Sequence, residues 1–108
     1  MPGPAGGIGA AVVDRLADFG WTVHGWDVRE HELAAAATTS VVDIASSRAD
    51  DEALARVPRP LRLFVANAGY AEFGQALEVE DDLWLRTIAI NLGGSFWCMP
   101  CGRAQNGN

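Results

Sequence analysis

Leu61-Arg62-Leu63-Phe64-Val65-Ala66-Asn67-Ala68-Gly69, residues 61–69, is the stretch on which the fold of this chain turns. Its first six residues are apolar apart from Arg62, the pattern of a strand covered on both faces, as in a parallel sheet between layers of helix. Parallel strands are joined by crossovers, so helices are expected on both sides of it in the sequence. Pro58 and Pro60 stand just before the run and close the preceding helix. Asn67-Ala68-Gly69 falls at the C-terminal end of the strand.

Working upstream, the alternation holds. Ser47 with Asp50 three residues on starts a helix that extends to Val57, and Ser40 to Ile44 reads as a strand before it. Arg29 to Ala37 predicts a helix whose face is mostly alanine. Trp21 to Asp27, rich in aromatic and β-branched residues, predicts a strand ending on a carboxylate. Residues 7 to 19 place Ile8, Val12, Leu16 and Phe19 on one helical face, with Gly20 as the C-terminal stop. Downstream, Glu80 to about Trp97 is the longest helix: Trp84, Ile88, Leu92 and Phe96 recur every four residues, and Asp81 and Asp82 lie at the positive end of its dipole. The expectation is an α/β fold with three parallel strands near 21–27, 40–44 and 61–66. No internal repeat or long linker divides the 108 residues, which read as one domain or part of one.

Composition narrows the function classes. Fourteen acidic residues against eight basic ones give a net charge of −6, so nucleic acid would be repelled. No apolar run approaches the roughly 18 residues of a membrane span, since Asp14 and Arg15 interrupt the longest candidate. The start lacks the basic region of a signal peptide, and two cysteines do not make a disulfide framework, which points to a reducing cytoplasm. All eight basic residues are arginine. Any chemistry that needs a lysine is therefore excluded for this chain. Tyr70 is the single tyrosine, and His24 and His31 are the two histidines.

Three features carry candidate chemistry. Pro2-Gly3-Pro4-Ala5-Gly6-Gly7-Ile8-Gly9 is a glycine-rich turn running straight into a helix, where backbone can approach a ligand and free amides can bind a pyrophosphate. The same stretch also reads as a disordered leader. Asp27 ends the next strand 18 residues beyond Gly9, placed to accept hydrogen bonds from both adenosine-ribose hydroxyls and to repel a 2′-phosphate. It could equally cap the following helix, and Arg29 close by could accommodate the phosphate of NADP. Cys98-Met99-Pro100-Cys101 has redox or zinc spacing, but it closes a helix rather than opening one and has no second ligand pair. A buried Cys98 with an incidental Cys101 is the better account, and no metal site is expected.

Together these residues resemble the short-chain dehydrogenase/reductase family. Gly3, Gly7 and Gly9 fit its glycine motif with Pro2 in place of the threonine. Ala66-Asn67-Ala68-Gly69 is similar to its Asn-Asn-Ala-Gly with the first asparagine replaced. Asp43-Ile44 matches the Asp-aliphatic pair near the adenine, and Asn91-Leu92-Gly93-Gly94 matches the Asn-Leu-x-Gly of the long helix. The resemblance covers residues 2 to about 98. It implies a Rossmann-type three-layer parallel sheet with the family's first strand and C-terminal half missing, and an unstructured tail over about 99–108. Gly3, Gly7, Ile8, Gly9, Asp27, Asp43, Ile44, Asn67, Ala68 and Gly69 would line the dinucleotide site, with Asn91 in a supporting catalytic role. Asn67 could instead simply tie strands together, and Gly69 could be a turn glycine. The implied cofactor is NAD rather than NADP. The implied parent is a homo-oligomeric enzyme that exchanges hydride with an alcohol or carbonyl through a Ser, a Tyr and a Lys absent here. Readings of another class are a non-catalytic nucleotide-binding or interaction module, or a truncated gene product without function.

Overall fold

The computed structural model describes residues 1, 3, 7–58 and 60–99. Helix α1 spans Gly7–Asp18 and is stopped by Gly20, whose φ of +85° is a left-handed conformation that a side chain would penalise. Strand β1, His24–Asp27, pairs in parallel with β2, Thr38–Val41, in the register His24 to Thr38 through Asp27 to Val41. Helix α2, Ser47–Leu54, follows, then a short 3₁₀ turn at Ala76–Glu78 and helix α3, Asp81–Ile88. The chain continues from α3 as a π-helical stretch, Ala89–Gly94, and returns to α-helix over residues 95–99. The expected tail beyond Met99, with Cys101, lies outside the described residues.

Several expectations are corrected. Arg29 to Ala37 is not a helix: its ten-residue crossover with Val28 is a loop, closed by the Ala36 N–H to Leu33 carbonyl bond and the Thr39 hydroxyl bond to the His31 carbonyl. A helix that short owes its stability to an apolar face, and a face of alanines supplies little. The second strand falls at Thr38–Val41 rather than 40–44, because pairing with β1 sets its limits. The α2 cap is Ser46, whose hydroxyl accepts from the Ala49 N–H at 3.4 Å, one residue before the Ser47 expected to start it.

Residues 61–66 form no ladder and are not a strand. The β1 edge opposite β2 is bonded to Met1 and Gly3 instead. The Met1 ammonium donates to the His24 carbonyl at 2.7 Å, the Trp26 N–H to the Met1 carbonyl at 2.9 Å, and the Gly3 N–H to the Trp26 carbonyl at 2.7 Å. The apolar run is used for packing. Leu61 and Phe64 lie against a core of Trp26, Val42, Ala53 and Leu54, with the Phe64 ring edge-on to Trp26 at 6.4 Å. A small apolar cleft opens between β1 and this run, lined by Leu16, Val23, Leu54, Val57, Leu63 and Val65 among others.

Helix faces also differ from expectation. In α1 the buried positions are Gly9 and Val13, while Ile8 and Phe19 are exposed. In the long helix Trp84, Ile88, Leu92 and Phe96 are all exposed, and the buried positions are Gly94 and Cys98. An added Cβ at Gly94 would sit 2.6 Å from the Ile44 Cδ1, so glycine is what lets this helix approach the segment after β2.

Candidate functional site

Parallel strands start at one end of the sheet and finish at the other, so the segments that leave them gather on one edge. Asp27 is the last residue of β1, Asp43 and Ile44 follow β2, and Asn67 to Gly69 follow the 61–66 run. Gly3 joins them: the Asn67 side-chain amide donates to its carbonyl at 2.8 Å. Its φ is +72°, and a Cβ there would come within 2.7 Å of the Ala68 Cα. Only glycine allows the two backbones this close. Four residues later α1 begins, and at Gly7 an added Cβ would meet nothing within 4 Å. The first residue of α1 is thus exposed, with free space on its Cβ side.

Asp27 is 9% exposed. One of its oxygens accepts the Arg29 backbone N–H at 3.2 Å and lies 3.8 Å from the Arg29 Nε, while that guanidinium is itself mostly exposed. The carboxylate thus shapes the turn after β1. Asp43 is exposed and accepts the Ala45 N–H at 3.0 Å, a local turn bond, and Ile44 is buried beneath the Gly94 approach. Ile8 is exposed, Gly9 is buried in the α1 face, and Gly69 faces the Asn91 side-chain oxygen.

Asn91 holds a loop. Its Oδ1 accepts the Tyr70 N–H at 2.6 Å and its Nδ2 donates to the Tyr70 carbonyl at 2.7 Å, a two-point clamp from the π-helical stretch onto the end of the Asn67–Tyr70 turn. The Tyr70 hydroxyl donates to Glu72 at 2.6 Å, and Arg86 reaches it from α3 at 3.4 Å with its guanidinium 5.6 Å from the ring centre. Sequence reasoning missed Arg86 and Glu72. The only signal for Arg86 was its place on α3 one and a half turns before Asn91.

Of the histidines, His24 lies at the opposite end of β1 from this edge. His24 contacts the Thr38 hydroxyl at 2.6 Å at the start of the β1–β2 ladder, and burial, with the Met1 ammonium beside it, lowers its pKa. His31 contacts the Arg29 carbonyl in the crossover loop rather than on a helix. Among the described residues no three His, Cys, Asp or Glu side chains are grouped to hold a metal, and no helix is long and apolar enough to cross a membrane.

A parallel pair of strands set among helices, with a glycine turn, two carboxylates and an Asn-Ala-Gly loop at its C-terminal edge, defines the class as a Rossmann-like α/β protein. The chain belongs to the short chain dehydrogenase family, whose sequence profile matches residues 2–102. It is 35% identical over 83 residues to a galactitol 2-dehydrogenase (L-tagatose-forming) of Cereibacter sphaeroides, a match covering 73% of this chain and 33% of the relative. It is 41% identical over 59 residues to a galactitol 2-dehydrogenase of Rhizobium johnstonii, covering 54% of this chain and 23% of the relative. The chain thus matches about a third or less of either relative's length. The family comprises oxidoreductases that bind a nicotinamide dinucleotide and act on small molecules.

Proposed function

We propose that residues 1–108 form part of the NAD-binding domain of a dehydrogenase, and that the whole protein oxidises an alcohol or reduces a carbonyl. The observation that carries this is the meeting of Gly3 with Asn67 and Ala68, four residues before α1 begins, on the edge where Asp27 ends β1. In this reading the first turn of α1, entered through Gly3 and Gly7, takes the pyrophosphate, with Ile8 and Gly9 continuing that turn. Asp27 takes the adenosine ribose, and Asp43 with Ile44 flanks the adenine. Asn67 to Gly69 support the cofactor from the neighbouring loop. The bound nicotinamide would supply or accept hydride. Asn91 is a positioning residue, because both ends of its amide are engaged with the Tyr70 backbone.

The preference for NAD rests on the Asp27 carboxylate, which would stand against a 2′-phosphate. A polyol or its ketose is the substrate class favoured by the two relatives' activity as galactitol dehydrogenases. We assign the protein to the cytoplasm and the parent enzyme to a homo-oligomer, with a small-molecule substrate and neither nucleic acid nor membrane as partner. Binding tests the reading: tryptophan fluorescence should change saturably with NAD and more weakly with NADP, since Trp26 is buried next to Asp27. Absence of a saturable change with either dinucleotide would overturn it.

A further inference from the structure

Helix α2 buries one face, made by Asp50, Ala53 and Leu54 at positions i, i+3 and i+4. Ala53 and Leu54 belong to the hydrophobic core. Asp50 takes a place that this pattern gives to an apolar residue, and its side chain is fully buried. Neither carboxylate oxygen has a hydrogen bond of sound geometry among the described residues. The polar contact it does have is the thiol of Cys98, also fully buried, at the end of the long helix. A thiol is a weak donor, so it compensates little of the cost of burying a carboxylate.

The charged surroundings do not help the anion. Asp51 on the same helix and Asp43 from the loop after β2 both oppose its charge, and the Met1 ammonium acts on the Cys98 side. The helix that carries Cys98 is held farther back by the Gly94 approach to Ile44 and by the Asn91 clamp on Tyr70. Its last turn, residues 95–99, is the part that meets α2 through Cys98 and Asp50.

We propose that Asp50 and Cys98 form a proton-operated latch: with Asp50 neutral the helical residues 95–99 stay docked on α2, and when Asp50 releases its proton to solvent they come away so that the carboxylate can be hydrated. The proposal does not depend on dinucleotide binding, and a failure of either leaves the other standing. Burial, with Asp51, raises the Asp50 pKa from 3.8 to about 6. The docked state therefore binds more protons than the open state between those values, and docking weakens as pH rises through the window. With an ordinary carboxyl in the open state, the opening constant increases roughly tenfold between pH 5 and pH 8.

Labelling of Cys98 by a pyridyl disulfide reagent reads this directly in the Cys101→Ser chain, which keeps one thiol. Protection relative to a short unstructured peptide thiol should fall about tenfold over that range, most of it below pH 6 with a plateau above, while amide exchange of Asp81–Ile88 follows only its intrinsic pH dependence. Asp50→Asn and Asp50→Leu should each give a protection profile flat in pH, and leucine, which suits the apolar position, guards against a variant that fails to fold. A flat profile in the unsubstituted chain would overturn the latch. So would a pH dependence that survives both substitutions, or opening that spreads equally through Asp81–Ile88.

Discussion

Replacing Gly94 by alanine tests how the helix bearing Asn91 is held. The added Cβ would stand 2.6 Å from the Ile44 Cδ1 and 2.8 Å from its Cγ1. Carbon contacts are comfortable at about 3.5 to 4.0 Å, so roughly 1 Å must be found. Ile44 is only 8% exposed and has little room to swing away. Overpacking of this kind costs about 1–3 kcal/mol, and alanine in place of glycine inside a helix returns up to about 1 kcal/mol. The net local destabilisation is about 1–2 kcal/mol, a roughly 5- to 30-fold loss of amide-exchange protection. The loss should fall on residues 42–46 and 89–99, measured by hydrogen exchange with mass spectrometry. Ile44→Val removes Cδ1 and Ile44→Ala removes Cγ1 as well, so Gly94→Ala should cost less in the first background and turn neutral or favourable in the second. A double-mutant cycle with coupling below about 0.5 kcal/mol would refute the contact as the reason for glycine.

Asp27→Ala should weaken NAD about tenfold or more, since charge-assisted hydrogen bonds of about 1.5–3 kcal/mol are lost, and should narrow the gap to NADP; unchanged NAD affinity in a titration removes Asp27 from the site. The 108-residue chain alone should show no turnover of reduced or oxidised cofactor with a panel of polyols and ketones, because it contains no lysine to assist a tyrosine. Turnover that scales with protein and survives Tyr70→Phe would reveal an unrecognised active site, and turnover lost with Tyr70 would make that residue catalytic. Phe73, Leu77, Trp84, Leu85 and Leu92 are all exposed, so the chain should bind a hydrophobic dye or self-associate. A cooperative unfolding transition of a dye-free monomer would contradict this.

The order of elements was legible where the sequence punctuates itself. Gly20 ended α1, because a positive φ is a local property, and β1 and β2 pair in parallel as expected although the helix expected between them is a loop. Burial was not local. Val12 and Val13 are adjacent, and only packing decides which of two neighbouring stripes turns inward, so the stripe from Ile8 to Phe19 was read where Gly9 and Val13 are buried. The 61–66 run shows the same division. Its apolar content encodes burial, realised by Leu61 and Phe64 on the core, whereas a ladder needs a neighbouring backbone, and the β1 edge is bonded to Met1 and Gly3 instead.

For the site, glycine and asparagine spacings carried the close approach of Gly3 to Ala68, since that contact depends on residues that have no acceptable substitute. Contacts between side chains of distant elements carry no such signature. Arg86 beside Tyr70 is an ordinary exposed arginine until α3 is folded back over the turn. Asp50 lies between these cases. Its sequence clue was the break in an apolar stripe, a carboxylate where Ala53 and Leu54 call for a third apolar residue, yet the same Asp50 also fits the acidic first turn of a helix. Position in the first turn explains why a carboxylate is tolerated there at all; full burial against Cys98 is what makes its charge expensive, and that cost arises only when the far end of the long helix arrives.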